Sequence, residues 1–133
     1  MEMIDLYLAI VKIRIKDNSL RLRLTQSEVD NFKSNKRVES VIAFPNNARL
    51  IYSLHWGLAE DYSVGFDANT INIVVPNAAG EKWLEPTEVG METNLNLPKD
   101  QSLRVLIEKD FACLTERVEE DESDNFPNPL SHC

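Results

Sequence analysis

Cysteine and glycine are scarce in this sequence, with two and four residues respectively among 133. A single cysteine pair is too few for a disulfide-stapled fold. Four glycines leave little material for a phosphate-binding loop, and the sequence contains no P-loop, nucleophile-elbow or zinc-protease motif. Because 43% of the residues are hydrophobic, we expect a single domain that is stabilised by an ordinary apolar core.

Long apolar runs are absent as well. The apolar stretch near the start, residues 6–11, follows Glu2 and Asp5, whereas a signal peptide begins with basic residues and has a longer apolar core. No run approaches the roughly 20 apolar residues that cross a bilayer. We therefore predict a cytoplasmic protein with no membrane association.

A net positive charge is also missing, and the charges that are present are unevenly distributed. The formal net charge of −8 argues against nucleic-acid binding, which needs a cationic surface. Residues 12–23, however, contain five Lys or Arg and one Asp, and residues 116–124 contain six acids and one Arg. The sequence thus has a basic start and an acidic end.

What the sequence does contain is a strict alternation of apolar and polar residues. Residues 11–16 read V-K-I-R-I-K and residues 19–24 read S-L-R-L-R-L, with Asp17 and Asn18 between them. The pattern predicts two half-buried strands joined by a tight turn, since Asp and Asn tolerate positive φ. A two-residue turn places residue 12 opposite 23, 14 opposite 21 and 16 opposite 19.

Further hairpins are predicted along the chain. Thr25 and Glu28 form a capping box in front of a short helix over residues 26–34. Alternating runs predict strands over 37–44, 49–55, 63–67, 70–75, 90–97 and 103–109, with a helical turn at 77–84. This order predicts a β-rich α+β fold, an antiparallel curled sheet or partial barrel built from consecutive hairpins with one or two short helices. No internal repeat is recognisable.

The sharpest candidate site is the polar face of the first hairpin, which five basic residues share: Lys12, Arg14, Lys16, Arg21 and Arg23. In the predicted register Arg14 lies opposite Arg21, and Lys12 lies opposite Arg23. Like charges placed directly opposite one another destabilise a sheet by up to about 1 kcal/mol per pair. A negative partner is therefore expected for this face.

Three kinds of negative partner are open. The first is a carboxylate from a neighbouring strand, with Glu39, Asp67 and Glu108 as candidates. The second is the acidic tail, and the third is an external anion, for which an arginine fork is well shaped. The sequence favours internal pairing over an external ligand.

Cys113, His132 and Cys133 are weak candidates for a metal site, because Cys and His are suitable ligands for Zn²⁺. The sequence has no Cys-x-x-Cys spacing, and Cys113 fits better as a small buried hydrophobic residue. We expect neither a metal nor a cofactor.

Both ends of the sequence carry motifs of one family. Residues 12–29 read K-I-R-I-K-D-N-S-L-R-L-R-L-T-Q-S-E-V, and residues 110–129 contain D-F-A-C-L, E-D-E and N-F-P-N-P. They resemble the opening and the ending of the members of a small uncharacterised bacterial family. The resemblance implies a domain of unknown function, and no catalytic residue can be assigned from it. The resemblance also implies a start near residue 11, so residues 1–10 are either an upstream extension or a prolongation of the first strand.

The chain is therefore predicted to consist of residues 11–115, a single α+β domain, and residues 116–133, an acidic tail that contains prolines. We predict a non-catalytic binding or accessory domain that uses the cationic hairpin for an anionic small molecule or an acidic protein segment. One alternative is a small enzyme acting on a phosphorylated or carboxylated metabolite, with Arg14, Arg21 and Arg23 as anion clamps. Another is a structural or oligomeric module with no ligand.

Overall fold

Eight strands and two α-helices make up the part of the chain that a computed structural model describes, residues 10–112, 124, 126 and 127. The strands are β1 (Lys12–Lys16), β2 (Ser19–Leu24), β3 (Arg37–Ala43), β4 (Arg49–Gly57), β5 (Ser63–Asp67), β6 (Thr70–Pro76), β7 (Gly90–Leu97) and β8 (Gln101–Lys109). The helices are α1 (Gln26–Asn35) and α2 (Asn77–Trp83), and a short 3-10 turn, Pro45–Asn47, joins β3 to β4.

The first hairpin has the predicted register, with Arg14 opposite Arg21. Asp17 and Asn18 adopt positive φ angles of 49° and 57°, which is the backbone that a tight two-residue turn requires. The alternation turns all three leucines of β2 towards the core, where they are buried. One face of the hairpin is therefore apolar and the other is left to its charged residues.

Helix α1 begins at the predicted capping box. The side chain of Thr25 accepts a hydrogen bond from the amide of Glu28, and the carboxylate of Glu28 accepts one from the amide of Thr25 at 2.8 Å. The helix ends at Asn35 and is capped by Lys36, which has a positive φ of 60°. Within the described residues, neither helix combines the length and the apolar character needed to span a membrane.

The β-rich α+β class with two short helices is confirmed, but the strands form two sheets rather than one curled antiparallel sheet. The first sheet has the order β1-β2-β8-β7 and the second has the order β3-β4-β6-β5. Both are mixed, because each contains two antiparallel hairpins joined by a parallel pair, β2 with β8 or β4 with β6. Neither of these described sheets closes into a barrel.

The two sheets are built from a repeated unit that the sequence does not reveal. Each unit is a hairpin, a helix and a second hairpin: β1-β2-α1-β3-β4 and β5-β6-α2-β7-β8. The units exchange hairpins, so that each sheet holds the first hairpin of one unit and the second hairpin of the other. The parallel registers also agree, since Ser19 pairs with Arg104 in one sheet and Thr70 pairs with Ile51 in the other. Positions in the two sheets can therefore be compared one to one.

The core lies where the two units meet. Phe32 of α1 and Trp83 of α2 are 0% and 1% exposed. Each lies eight residues after the last buried residue of the preceding strand, which is Leu24 in β2 and Val75 in β6. Their rings meet edge-to-face with 5.6 Å between centroids, which is a favoured aromatic geometry. Trp56 joins them, because its Nε1 donates to the carbonyl oxygen of Phe32 at 2.9 Å. This aromatic cluster connects both units.

Val11 connects the start of the first hairpin to the second sheet. Its amide donates to Ser40 Oγ at 2.9 Å, and its carbonyl oxygen accepts from the hydroxyl of Tyr52 at 2.6 Å. Burial raises the pKa of Tyr52, and nearby Glu28 raises it further, whereas the hydrogen bond with Ser40 lowers it. The hydroxyl is thus held in its protonated, donating form.

We predict that Tyr52→Phe lowers the free energy of unfolding by about 1–2 kcal/mol at neutral pH, because the buried carbonyl of Val11 loses a donor. The folded-state pKa of Tyr52 is raised. The contribution of its hydroxyl is therefore fully present below about pH 10 and is lost as the pH rises through the folded-state pKa. Urea denaturation should show a smaller difference between the two proteins at about pH 11 than at about pH 7. A difference that grows with pH would contradict this assignment.

We predict that Gly80→Ala destabilises the protein, because a Cβ at this position would lie 2.9 Å from Cε3 of Trp56. Overpacking costs about 1–3 kcal/mol, which exceeds the roughly 1 kcal/mol that alanine gains over glycine in a helix. Gly65→Ala in β5 is the matched control, since a Cβ there meets nothing within 4 Å. In chemical denaturation, the denaturant concentration at the midpoint of unfolding should fall for Gly80→Ala alone. Equal midpoints for both variants would contradict this prediction.

Candidate functional site

The outer face of the first sheet brings together the five basic residues predicted from the sequence. Because side chains alternate along a strand, Lys12, Arg14 and Lys16 of β1 point to the same side as Arg21 and Arg23 of β2, away from the buried leucines. We call this surface, together with Arg104 of β8, the cationic face. Arg104 enters it because β8 pairs with β2, which the sequence analysis did not foresee.

Glu108 of β8 supplies an internal counter-charge to this face. Its Oε1 lies 2.9 Å from Nε of Arg21 and 3.4 Å from Nε of Arg23, and the three side chains are only 14–17% exposed. Of the three carboxylates predicted as partners, Glu108 therefore takes the role. Glu39 and Asp67 lie in the second sheet instead.

Asp110, just after β8, is a second internal partner that the sequence analysis missed. Its Oδ2 lies 2.6 Å from Nζ of Lys12, and its amide donates to the carbonyl oxygen of Leu24 at 2.8 Å. The signal that could have found it is its position directly after a predicted strand. That signal has meaning only once β8 is known to lie beside β2.

A pocket of 450 Å³ opens at the end of the cationic face that carries the turn of the first hairpin, and we call it the turn-end pocket. Four cationic side chains line it: Arg14, Lys16, Arg21 and Arg104. Its volume lies in the range of roughly 300–1,000 Å³ that small-molecule sites occupy.

Polar groups, two leucines and one acid complete the described lining of the turn-end pocket. Asn18 Nδ2 donates to the carbonyl oxygen of Ser102 at 2.7 Å, which fixes the turn against β8. Asp17 is the acidic residue of the lining, and Glu92, outside it, pairs with Arg104 at 2.8 Å with about half of each side chain exposed. Among the described residues, the lining itself holds four cationic side chains and one acidic side chain, so its formal charge is positive.

The equivalent face of the second sheet is not cationic. The registers place Gly65 where the first sheet has Arg14, Asn72 where it has Arg21, and Ile51 where it has Arg104. Asn72 Oδ1 accepts from Ser53 Oγ at 2.6 Å and lies 3.0 Å from Nε2 of His55. This histidine therefore takes part in a small polar cluster.

A second pocket of 500 Å³ lies beside the start of α1 and the end of β8. Leu24, Val29, Leu84 and Phe111 contribute apolar surface to it, and Lys109 is the one cationic residue among the described residues that line it. It therefore lacks the convergence of like charges that marks the turn-end pocket.

The weak metal candidates Cys113, His132 and Cys133 lie outside the described residues, as does the tail apart from residues 124, 126 and 127. Among the described residues, no group of three or more His, Cys, Asp or Glu is arranged to hold a metal ion. The division of the chain into residues 1–10, 11–115 and 116–133 stays a prediction.

The chain belongs to a family of unknown function (DUF7009), whose model matches residues 11–130. The prediction that the chain belongs to an uncharacterised family is thereby confirmed. No curated protein and no solved structure matches the chain. The family carries no assigned activity to transfer to these residues, so the function has to be argued from the site itself.

We predict that Glu108→Gln lowers the free energy of unfolding by about 1–3 kcal/mol, because Arg21 and Arg23 lose a shared counter-charge that is largely buried. Glu92→Gln is the matched control, since its exposed pair with Arg104 contributes less than about 1 kcal/mol. The loss for Glu108→Gln should shrink as NaCl is raised from about 0.05 M to about 0.5 M, because salt screens the remaining repulsion. Equal losses for both variants in urea denaturation would contradict a special role for Glu108.

Proposed function

We propose that this protein is a non-catalytic binding domain that holds a small anion with more than one negative charge in the turn-end pocket. The observation that carries the proposal is the convergence of Arg14, Lys16, Arg21 and Arg104 on one pocket. Arginine binds phosphate and carboxylate groups through paired N–H donors, and lysine adds a mobile point charge. Such a set suits a diphosphate or a polycarboxylate better than a neutral ligand.

The repeated unit supports the proposal, because the equivalent strands of the second sheet form without cations at these positions. Gly65 and Asn72 occupy the places of Arg14 and Arg21, so the fold does not depend on arginines at these positions. Arginines that face each other across a strand pair cost stability. Residues that cost stability and are not needed by the fold are typical of functional sites.

The position of the internal carboxylates supports it further. Asp110 pairs with Lys12 at the end of the cationic face that is remote from the turn, and Glu108 lies between Arg23 at that end and Arg21 of the pocket lining. The turn-end pocket has the side chains of Arg14, Lys16 and Arg104, which are all exposed, and it opens to solvent. An anion from solution can therefore reach these three side chains.

The ligand chemistry follows from the lining. The pocket offers positive charge and hydrogen-bond donors, and these are the groups that bind an anion and hold it in place. The proposal assigns no bond-breaking step to them. Cytoplasmic location and bacterial origin stay predictions of the sequence.

We expect inorganic pyrophosphate to bind the full chain and to raise its Tm, since a ligand at ten times its Kd stabilises the native state by about 1.4 kcal/mol. Arg14→Gln combined with Arg104→Gln should weaken binding at least about tenfold, because two of the four lining cations are removed. Isothermal titration calorimetry measures the affinity directly. Phosphate, citrate and a nucleoside diphosphate, compared at equal ionic strength, rank the anion classes.

Arg37→Gln combined with Arg49→Gln is the matched control, because it removes the same charge from exposed positions of the second sheet. Pyrophosphate affinity should change less than about threefold in this variant, which alters only the long-range field. The proposal fails if none of these anions binds. It fails equally if the two double variants lose the same affinity.

A further inference from the structure

We infer that β5 is the contact through which two copies of this chain form a symmetric dimer, by antiparallel pairing of β5 with β5 of the second copy. The second sheets of both copies then join into one continuous sheet of eight strands, four from each copy. Three features of β5 support the inference: an open edge, little protection of that edge, and a sequence that is complementary to its own reverse. The inference does not rest on the proposed function, because the described lining of the turn-end pocket comes from the first sheet and its turn.

The outer edge of β5 is open. Among the described residues β5 pairs only with β6, so no described strand lies against its other side. Asp67 and Thr70 flank a two-residue turn and form a hydrogen-bonded pair, and such pairs alternate with non-hydrogen-bonded pairs along an antiparallel ladder. Val64 and Phe66 occupy the non-hydrogen-bonded positions. Their N–H and C=O groups therefore point away from β6, towards the place of an added strand.

The edge of β5 lacks the protection that the equivalent strand of the first sheet has. Open strand edges promote association between molecules, and charged side chains are a usual means of preventing it. β1 carries three cations, Lys12, Arg14 and Lys16, so two copies of β1 would bring like charges together. β5 reads Ser-Val-Gly-Phe-Asp and has a single charged residue, at its end. The repeated unit is thus guarded at one of these two edges and open at the other.

An exposed aromatic ring marks the same edge. Phe66 is 71% exposed, which is the largest value for any large apolar side chain in a described strand. The ring lies on the same side of the sheet as Val64, which packs against the core. A hydrophobic strand left open at an edge is a site of association. A strand added to β5 covers the ring and extends the core across the edge.

The residues of β5 match those of a second, antiparallel copy. When Val64 lies opposite Phe66 of the second copy, the two pairs of this kind can exchange their outward backbone hydrogen bonds. The valine and the phenylalanine then pack against each other on the core side. On the opposite side Ser63 faces Asp67, so that its hydroxyl can donate to the carboxylate. The match is made twice, once on each side of the two-fold axis.

Glycine suits the position on that axis. In the same register Gly65 lies opposite Gly65 of the second copy, in a non-hydrogen-bonded pair whose Cα atoms are about 4.5 Å apart. Two glycines allow the backbones to approach without a clash. An interface that uses one patch twice closes with two copies, whereas pairing of β5 with β1 of another copy would leave open ends and grow into a chain. The geometry thus favours a second β5 as the occupant of the edge.

We expect the full-length chain to form dimers as its concentration is raised, as measured by sedimentation velocity. Gly65→Lys should weaken dimerisation at least about fivefold, because two lysines would lie directly opposite one another. The protomer tolerates the change, since a Cβ at this position meets nothing within 4 Å. Asn96→Lys is the matched control, which adds the same charge at an exposed position of the edge strand β7 and should change the dimer affinity less than about twofold. A monomer at every concentration, or equal effects of both variants, would overturn the inference.

Disulfide trapping tests the register. In a chain with Cys113→Ser and Cys133→Ser, Gly65→Cys should give a disulfide-linked dimer under mild oxidation, because Cα atoms about 4.5 Å apart lie within the range of a disulfide. Ser63→Cys is the control on the same edge, since the two copies of this residue would lie about 13 Å apart along the paired strands and cannot be bridged. Equal linking of both variants would overturn the inference. Linking of neither would also overturn it, because β1 of another copy or another segment of the same chain would then occupy the edge.

Discussion

The parallel pairing of β2 with β8 is the contact on which the candidate site depends. It joins the first hairpin to the last described strand and puts Glu108 beside Arg23 and Arg104 beside Ser19. The amide of Arg104 donates to the carbonyl oxygen of Asn18, so the same pairing seats the turn that borders the pocket. Without β8, the hairpin would lack both its internal counter-charge and the fourth cation of the pocket lining. The place where the chain leaves the sheet follows from this pairing as well.

The exchange of hairpins between two units explains how such a distant pairing becomes stable. Closing a long loop has an entropic cost, and contacts that are local in sequence cannot offset it. In this protein β2 and β8 lie in the middle of one sheet, and β4 and β6 lie in the middle of the other. Most of their inward residues are buried, as is usual for parallel strands. Phe32 and Trp83 then meet at the junction, so both sheets are stabilised by one shared core.

The comparison of the two sheets separates the residues that serve the fold from those that serve the surface. Inward positions keep their apolar character in both units, for example Leu22 in β2 and Ile73 in β6, which are 1% and 0% exposed. Outward positions differ in side-chain type between the two sheets, since Arg14 and Arg21 correspond to Gly65 and Asn72. A charged site can therefore be placed on one sheet without changing the core. This local arrangement also explains how a chain with a net charge of −8 presents a cationic surface.

The sequence by itself determined the local elements of this protein: the register of the first hairpin, the turn at Asp17 and Asn18, the capping box at Thr25, and the presence of five cations on one face. These features depend on side-chain alternation and on residues close together in the chain, so a short stretch of sequence contains all the information they need. The tertiary structure alone decided the parallel pairing, the repeated unit, and the roles of Arg104 and Asp110. The backbone groups of every strand are alike, so partners distant in sequence are selected by the packing of the whole core. The repeat stays hidden for the same reason, because a core position such as that of Phe32 or Trp83 accepts any large apolar side chain that fills the space.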